Sequence, residues 1–183
     1  LGCTHHCPED IAIINKLPKI KIYYPGNKNE LEVLLNEYNE KCPKYYRISQ
    51  SNHNQDIKII KNKANIIKKG TKATILVFGA SLKMIENYID ELDATIIYYT
   101  TIKPFDEQTL KKNIINNKII LIQDFYNGSL TYEISKVSEY SKIYEIGIPI
   151  MFLNNYGNKK EHFKKLKLDP KNIIKKINKI LYE

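Results

Sequence analysis

Short apolar runs, ATILVFG (73–79), ATIIYYT (94–100), KIILIQ (118–123) and KIYEIGI (142–148), punctuate the second part of the chain at similar intervals, with helical patterns between them. Runs of this length, rich in β-branched and aromatic residues, suit strands buried on both faces rather than helices. The segments SLKMIENYIDEL (81–92), DEQTLKKNII (106–115, starting at Asp106) and SLTYEISKVSEY (129–140) carry the intervening helical spacing. IKIIKN (57–62) reads as an opening strand, and DPKNIIKKINKILY (169–182) as a closing helix with Asp169 as cap and Pro170 at its first position. Strands that alternate with helices imply a mostly parallel sheet covered on both sides. The expectation is an α/β fold, with a complete three-layer α/β/α domain over 53–183.

The upstream part has the same alphabet but only half a sheet. PEDIAIINKL (8–17) has helical spacing, KIKIYYP (19–25) alternates as a strand, ELEVLLNEYNEK (30–41) reads as a helix capped by Asn29, and KYYRIS (44–49) as a second strand. QSNHNQD (50–56) is polar and aperiodic, which predicts a linker between units 1–52 and 53–183.

At 183 residues, 43% hydrophobic and 27% charged, the composition is that of an ordinary globular chain. A net charge of +9 raises the question of nucleic acid, yet Arg47 is the lone arginine among 29 basic residues and the lysines are spread over almost every expected helix. Bidentate phosphate and base contacts favour arginine, so the charge reads as a solvated surface and no nucleic-acid partner is expected. No apolar run approaches the roughly 20 residues needed to span a bilayer, so no membrane partner is expected either, and a cytoplasmic location is. Cys3, Cys7 and Cys42 are an odd number without secretory features and are expected as free thiols.

LGCTHHCPED (1–10) concentrates the chemically versatile residues. A zinc site from Cys3, His5, His6 and Cys7 lacks a second ligand pair at suitable spacing, since the later candidates are only Cys42, His53 and His162. A Cys–His nucleophile lacks an orienting third group. Glu9 and Asp10 diverge by about 100° on a helix, so their expected role is to complement the helix dipole. No metal ligand is assigned.

Residues 2–35, GCTHHCPEDIAIINKLPKIKIYYPGNKNELEVLL, resemble the late pyrimidine-binding domain of transketolases: a Gly-x-Thr-His element, an acidic helix, a Leu-Pro turn, a strand ending in Pro and a Glu-bearing helix. TILVFGASLKMIENYIDEL, TTIKPFDEQTL, IILIQDFYNGSLTYEISKV and LKLDPKNIIKKI are similar, in order, to elements of the transketolase C-terminal domain. The resemblance implies a partial pyrimidine-binding half-domain over 1–52 followed by that C-terminal domain. It implies a thiamine-diphosphate- and Mg-dependent transferase of two-carbon ketol units between sugars or sugar phosphates. The chain lacks the family's Gly-Asp-Gly motif, and the position of the activating Glu would precede Leu1. The expectation is therefore a C-terminal portion that binds no cofactor alone and is inactive without an N-terminal portion or subunit, assembled as a homodimer. By the same resemblance His5 is the catalytic histidine, His6 and Arg47 are substrate-binding residues, Asp124 organises the loop after its strand, and Gly128 permits close packing there. A deoxyxylulose-phosphate synthase and the β part of a 2-oxoacid dehydrogenase share these domains. Their patterns favour Phe-Asp where this chain has Glu9-Asp10, and Pro-Gly where it has LPKI, so both point to the transketolase-like reading. A non-catalytic assembly or dimerisation domain is the remaining alternative.

Overall fold

The computed structural model describes residues 6–36 and 41–183. Its larger sheet has five strands in the order β3 (Asn65–Lys68), β5 (Thr95–Tyr99), β4 (Thr74–Phe78), β7 (Lys118–Tyr126), β8 (Lys142–Ile148). All neighbours are parallel except the edge pair β3 and β5. Side chains alternate between two cores, as the two-residue repeat of a strand requires. Ile75 and Val77, Ile96 and Tyr98, Ile120 and Ile122 enter one core. Leu76 and Phe78, Ile97 and Tyr99, Ile119 and Leu121 enter the other.

Helices cover both faces. On the first, α6 (Pro170–Tyr182) buries Ile173, Ile177, Ile180 and Leu181, with Asp169 accepting from the Asn172 N–H at 3.3 Å as its cap. On the second lie α1 (Asp10–Ile14), α3 (Glu107–Lys111, capped by Asp106) and α4 (Thr131–Ser135), which contribute Ile11, Leu110 and Ile134. This is the expected α/β fold with a sheet between helical layers. Among the described residues no helix is long and apolar enough to cross a membrane.

A smaller sheet carries β1 (Lys21–Tyr23) between parallel β2 (Lys44–Tyr46) and antiparallel β6 (Thr101–Lys103). Strand β6, missed in the sequence, comes directly after β5, so one continuous stretch serves both sheets. Tyr23 and Leu34 lie in the first core, and Ile11, Ile22 and Tyr24 in the second. The N-terminal elements thus bury their apolar residues against the large sheet. The stretch 50–56, expected as a polar linker, is pinned by His53, which is 2% exposed and whose N–H bonds the Gly26 carbonyl at 3.2 Å.

Other local expectations change for identifiable reasons. Helix α2 (Lys28–Leu35) is capped by Asn27 rather than Asn29, because the Asn27 side chain accepts from the Glu30 N–H at 3.0 Å. Residues 37–40 of that expected helix fall outside the described residues. The strand expected at 57–62 forms instead at β3: Asn62 takes a left-handed φ of 56°, and only the segment after it lies alongside β5. Helix 81–92 is two 3₁₀ segments, Gly79–Met84 and Glu86–Glu91. Contacts made within each segment, Ser81 to Asp124 and Glu86 to the Asn54 N–H, hold this stretch in tight turns with almost every residue of the first segment buried. Gly128 has a φ of 87° and nothing within 4 Å of a hypothetical Cβ, so its role is the turn conformation and not close packing. Finally, α5 (Lys159–Lys165), absent from the sequence reading, is set by a capping box between Asn158 and Glu161.

Candidate functional site

Four separate pieces of the chain converge on one cleft of about 590 Å³: the residues before and at the start of α1, the end of β2, the interior of β7, and α5. That volume suits a small-molecule ligand. At its floor is Asp124, on β7 and 4% exposed. One oxygen accepts from the Tyr24 hydroxyl at 2.7 Å and the Ser81 hydroxyl at 3.2 Å; the other accepts from Lys159 Nζ at 2.5 Å. Burial alone would raise this carboxyl, but the Lys159 and Arg47 cations and the hydrogen bonds prevail and hold it below the usual carboxylate range.

Arg47 extends the ladder beyond β2, its N–H bonding the Tyr23 carbonyl at 2.9 Å. Its guanidinium donates from Nη1 to Asp10 and from Nη2 to the Asp124 carbonyl at 3.1 Å, and lies 5.3 Å from the Tyr24 ring centroid and 5.7 Å from that of Phe125. Burial opposes its charge, yet Asp124, Tyr24 and Asp10 more than compensate and keep it protonated. Asp10 also accepts from the Tyr45 hydroxyl at 2.8 Å. It is 7% exposed, so beyond its place in the first turn of α1 it is the buried counterion of Arg47. Lys159, at the start of α5, completes the ring by donating to Ser49 Oγ at 3.0 Å.

His6 and His162 stand edge to face, with centroids 4.6 Å apart. Both line the cleft. Cys7 lines it too, and desolvation together with the Glu9 and Asp10 charges raises its thiol, so it is not an activated nucleophile. Among the described residues no group of three or more His, Cys, Asp or Glu is placed to hold a metal ion. Cys3 and His5 lie outside the described residues.

Of the expected site residues, the structure brings His6 and Arg47 into this one cleft, 41 positions apart in sequence, though both terminal nitrogens of Arg47 already donate to protein partners. Asp10, Lys159 and His162 were missed as site residues. The Asn158-x-x-Glu161 pattern would have revealed α5 and its first turn, but nothing local shows that α5 packs over β7.

No family model matches the chain. An uncharacterized 33.6 kDa protein in the fasciation locus of Rhodococcoides fascians is 26% identical over 185 residues, covering 97% of this chain and 59% of that protein. The 1-deoxy-D-xylulose-5-phosphate synthase of Pseudoalteromonas translucida (strain TAC 125) is 27% identical over 187 residues, covering 94% of this chain and 30% of the synthase. The chain thus spans less than two thirds of either relative. Among solved structures, a split-gene transketolase described as an inactive β4 tetramer superimposes with a TM-score of 0.80 at 18% identity, over 99% of this chain and 64% of that one.

Proposed function

We propose that this chain, which resembles the C-terminal part of the transketolase family in sequence and in fold, serves as the C-terminal portion of a thiamine-diphosphate-dependent enzyme that transfers a two-carbon ketol unit between sugars or sugar phosphates. The observation that carries this reading is a likeness of fold that runs through nearly the whole chain, 99% of it, and includes the N-terminal elements as well as the large sheet.

The described residues do not themselves fit the cofactor. The cleft's two cations, Arg47 and Lys159, are already bound to carboxylates, no metal-holding group is present among the described residues, and the sequence has no Gly-Asp-Gly. The diphosphate and its Mg²⁺ belong on this reading to another polypeptide or portion. What this chain supplies is a wall of the substrate channel: His5 to exchange protons with substrate hydroxyls, with His6 and Arg47 facing the bound sugar. The split-gene transketolase described as an inactive β4 tetramer supports the reading of a chain that is inactive without a further portion.

The synthase relatives favour a second reading, in which the complete enzyme makes 1-deoxy-D-xylulose 5-phosphate. Mixing the chain with a candidate N-terminal portion, thiamine diphosphate and Mg²⁺, then identifying the products, separates the two: a chain-extended ketose supports ketol transfer, and 1-deoxy-D-xylulose 5-phosphate supports the synthase. In that assembly His5→Ala is expected to lower turnover by about 10²–10⁴, the usual worth of a proton-transfer group, and His6→Ala by much less. Equal, near-normal rates for both would remove His5 from the chemistry.

A further inference from the structure

Of the four pieces that wall the cleft, three are fastened by the sheets or by the core. Arg47 extends the ladder beyond β2, Asp124 lies within the buried run of β7, and ahead of α1, which buries Ile11, the Pro8 carbonyl accepts from the Tyr126 N–H at 2.9 Å. Helix α5 differs. Its one buried residue is His162, and its apolar contacts are two partly buried side chains toward its C-terminal end, Phe163 and Leu166. Helix α6, by comparison, buries four residues.

Both flanks of α5 are conformational break points. Gly157, just ahead of the Asn158 cap, has a φ of 147°, where a side chain is strained, and a Cβ there would lie 2.6 Å from Glu161 Oε2, the oxygen that closes the capping box. Lys167, just past the helix, is left-handed at a φ of 55°. Residues 149–158 carry no charge, and Ile150, Phe152 and Tyr156 stay 77%, 83% and 85% exposed, so their side chains fasten little of that segment. The core takes the chain up again at Leu168, which is 1% exposed. A short capped helix between two such points has hinge geometry.

What holds the N-terminal end of α5 across the cleft is charge. Lys159 Nζ donates to Asp124 at 2.5 Å and to Ser49 Oγ at 3.0 Å. This hold is releasable. The Lys159 side chain is 35% exposed, so water can solvate its ammonium. Asp124 would keep Arg47 Nη2, 3.6 Å away, together with the Tyr24 and Ser81 hydroxyls. Its charge therefore retains a partner, and the stranded buried ion that makes most such pairs hard to break does not arise.

We infer that α5 is a gate: it pivots as an intact helix about Gly157 and Lys167, and Lys159 is the latch that keeps that wall of the cleft closed. The gate operates whichever reaction the complete enzyme performs.

The test is a distance. In a chain with Cys3, Cys7 and Cys42 changed to Ser, nitroxide labels are placed on Ile48→Cys, beside the cleft, and Lys165→Cys, on α5, both exposed positions. Electron–electron double resonance is expected to show a main short distance and a minor longer one. Lys159→Met is expected to raise the longer population about tenfold, the equivalent of one hydrogen bond to a charged group, and Lys159→Arg, which keeps the cation, to return it. The His162 and Leu166 amides, bonded to the Asn158 and His162 carbonyls, are expected to keep their protection from hydrogen exchange in both variants, because the helix moves whole. A distance unaffected by Lys159→Met would make α5 a fixed wall, and a longer distance accompanied by lost protection inside α5 would make it a melting segment. Either result overturns the inference.

Discussion

Asp124 and Glu30 are both buried carboxylates that tie N-terminal elements to the large sheet, and they are finished in different ways. Asp124 gathers Tyr24, Ser81, Arg47 and Lys159 from four parts of the chain, at the floor of an open cleft. Glu30, on α2 and 2% exposed, accepts from the Gly26 N–H at 2.6 Å and the Tyr98 hydroxyl at 2.7 Å, and lies 3.2 Å from His53 Nε2, all away from that cleft. The first cluster is built of full charges and lines an open cleft. The second is built mainly of dipoles around one carboxylate and is closed to that cleft, anchoring the 50–56 stretch although Glu30 Oε1 and His53 Nδ1 have no hydrogen-bond partner among the described residues. Gly26 belongs to this closure, since a Cβ there would collide with the His53 ring and the Tyr98 hydroxyl.

The sharpest way to break this contrast is Asp124→Ala, which leaves Lys159 without its carboxylate and leaves Arg47 with that of Asp10 alone. Losing one partner of a buried ion pair costs about 3–5 kcal/mol, and urea denaturation should show a loss of that size. Glu30→Ala should cost less, about 2–4 kcal/mol, from the donors it strands at Gly26 and Tyr98. A larger loss at Glu30 than at Asp124 would reverse the ranking of the two clusters.

Acid sharpens it further. Because the Asp124 carboxyl is depressed in the folded state, its contribution is present above the unfolded carboxylate value of about 3.9 and is lost as pH falls through the lower folded value. The stability gap between the native chain and Asp124→Asn should therefore narrow below about pH 4. A gap that stays constant down to pH 2 would mean that Asp124 does not act through its charge. The smallest effect belongs to a surface pair: Lys28 and Glu32 lie 3.6 Å apart at 85% and 62% side-chain exposure, and Glu32→Ala should change stability by less than about 0.5 kcal/mol.

Much of the fold was legible because it rests on local periodicity. The runs at 74–78, 95–99, 118–126 and 142–148 became the four parallel strands, and Asp169 is a cap because Asp preceding a helical pattern satisfies its first N–H groups; Asp106, expected as the first residue of its helix, caps it in the same way. Strand β3 was misplaced because Ile57–Ile60 and Ile66–Ile67 are equivalent as sequence, and only alignment with β5 distinguishes them. Strand β6 was missed because a short strand gains its identity from its partner, here β1, some eighty residues away. Within the site, Arg47 and His6 stood out through the resemblance, while His162 carried no local signal at all.

The sequence by itself determined the alternation of strand and helix, the Asp169 cap, and the two-faced pattern that commits β4, β5 and β7 to a double core, because each follows from side chains a few positions apart. Only the tertiary structure decided that Asp10, Arg47, Asp124 and Lys159 satisfy one another's charges, and that His6 and His162 meet edge to face with nitrogens to spare. Those relations join residues as much as 156 positions apart. A buried charge must find a partner, but which partner it finds depends on how the sheets and α5 pack, and that is a property of the whole core.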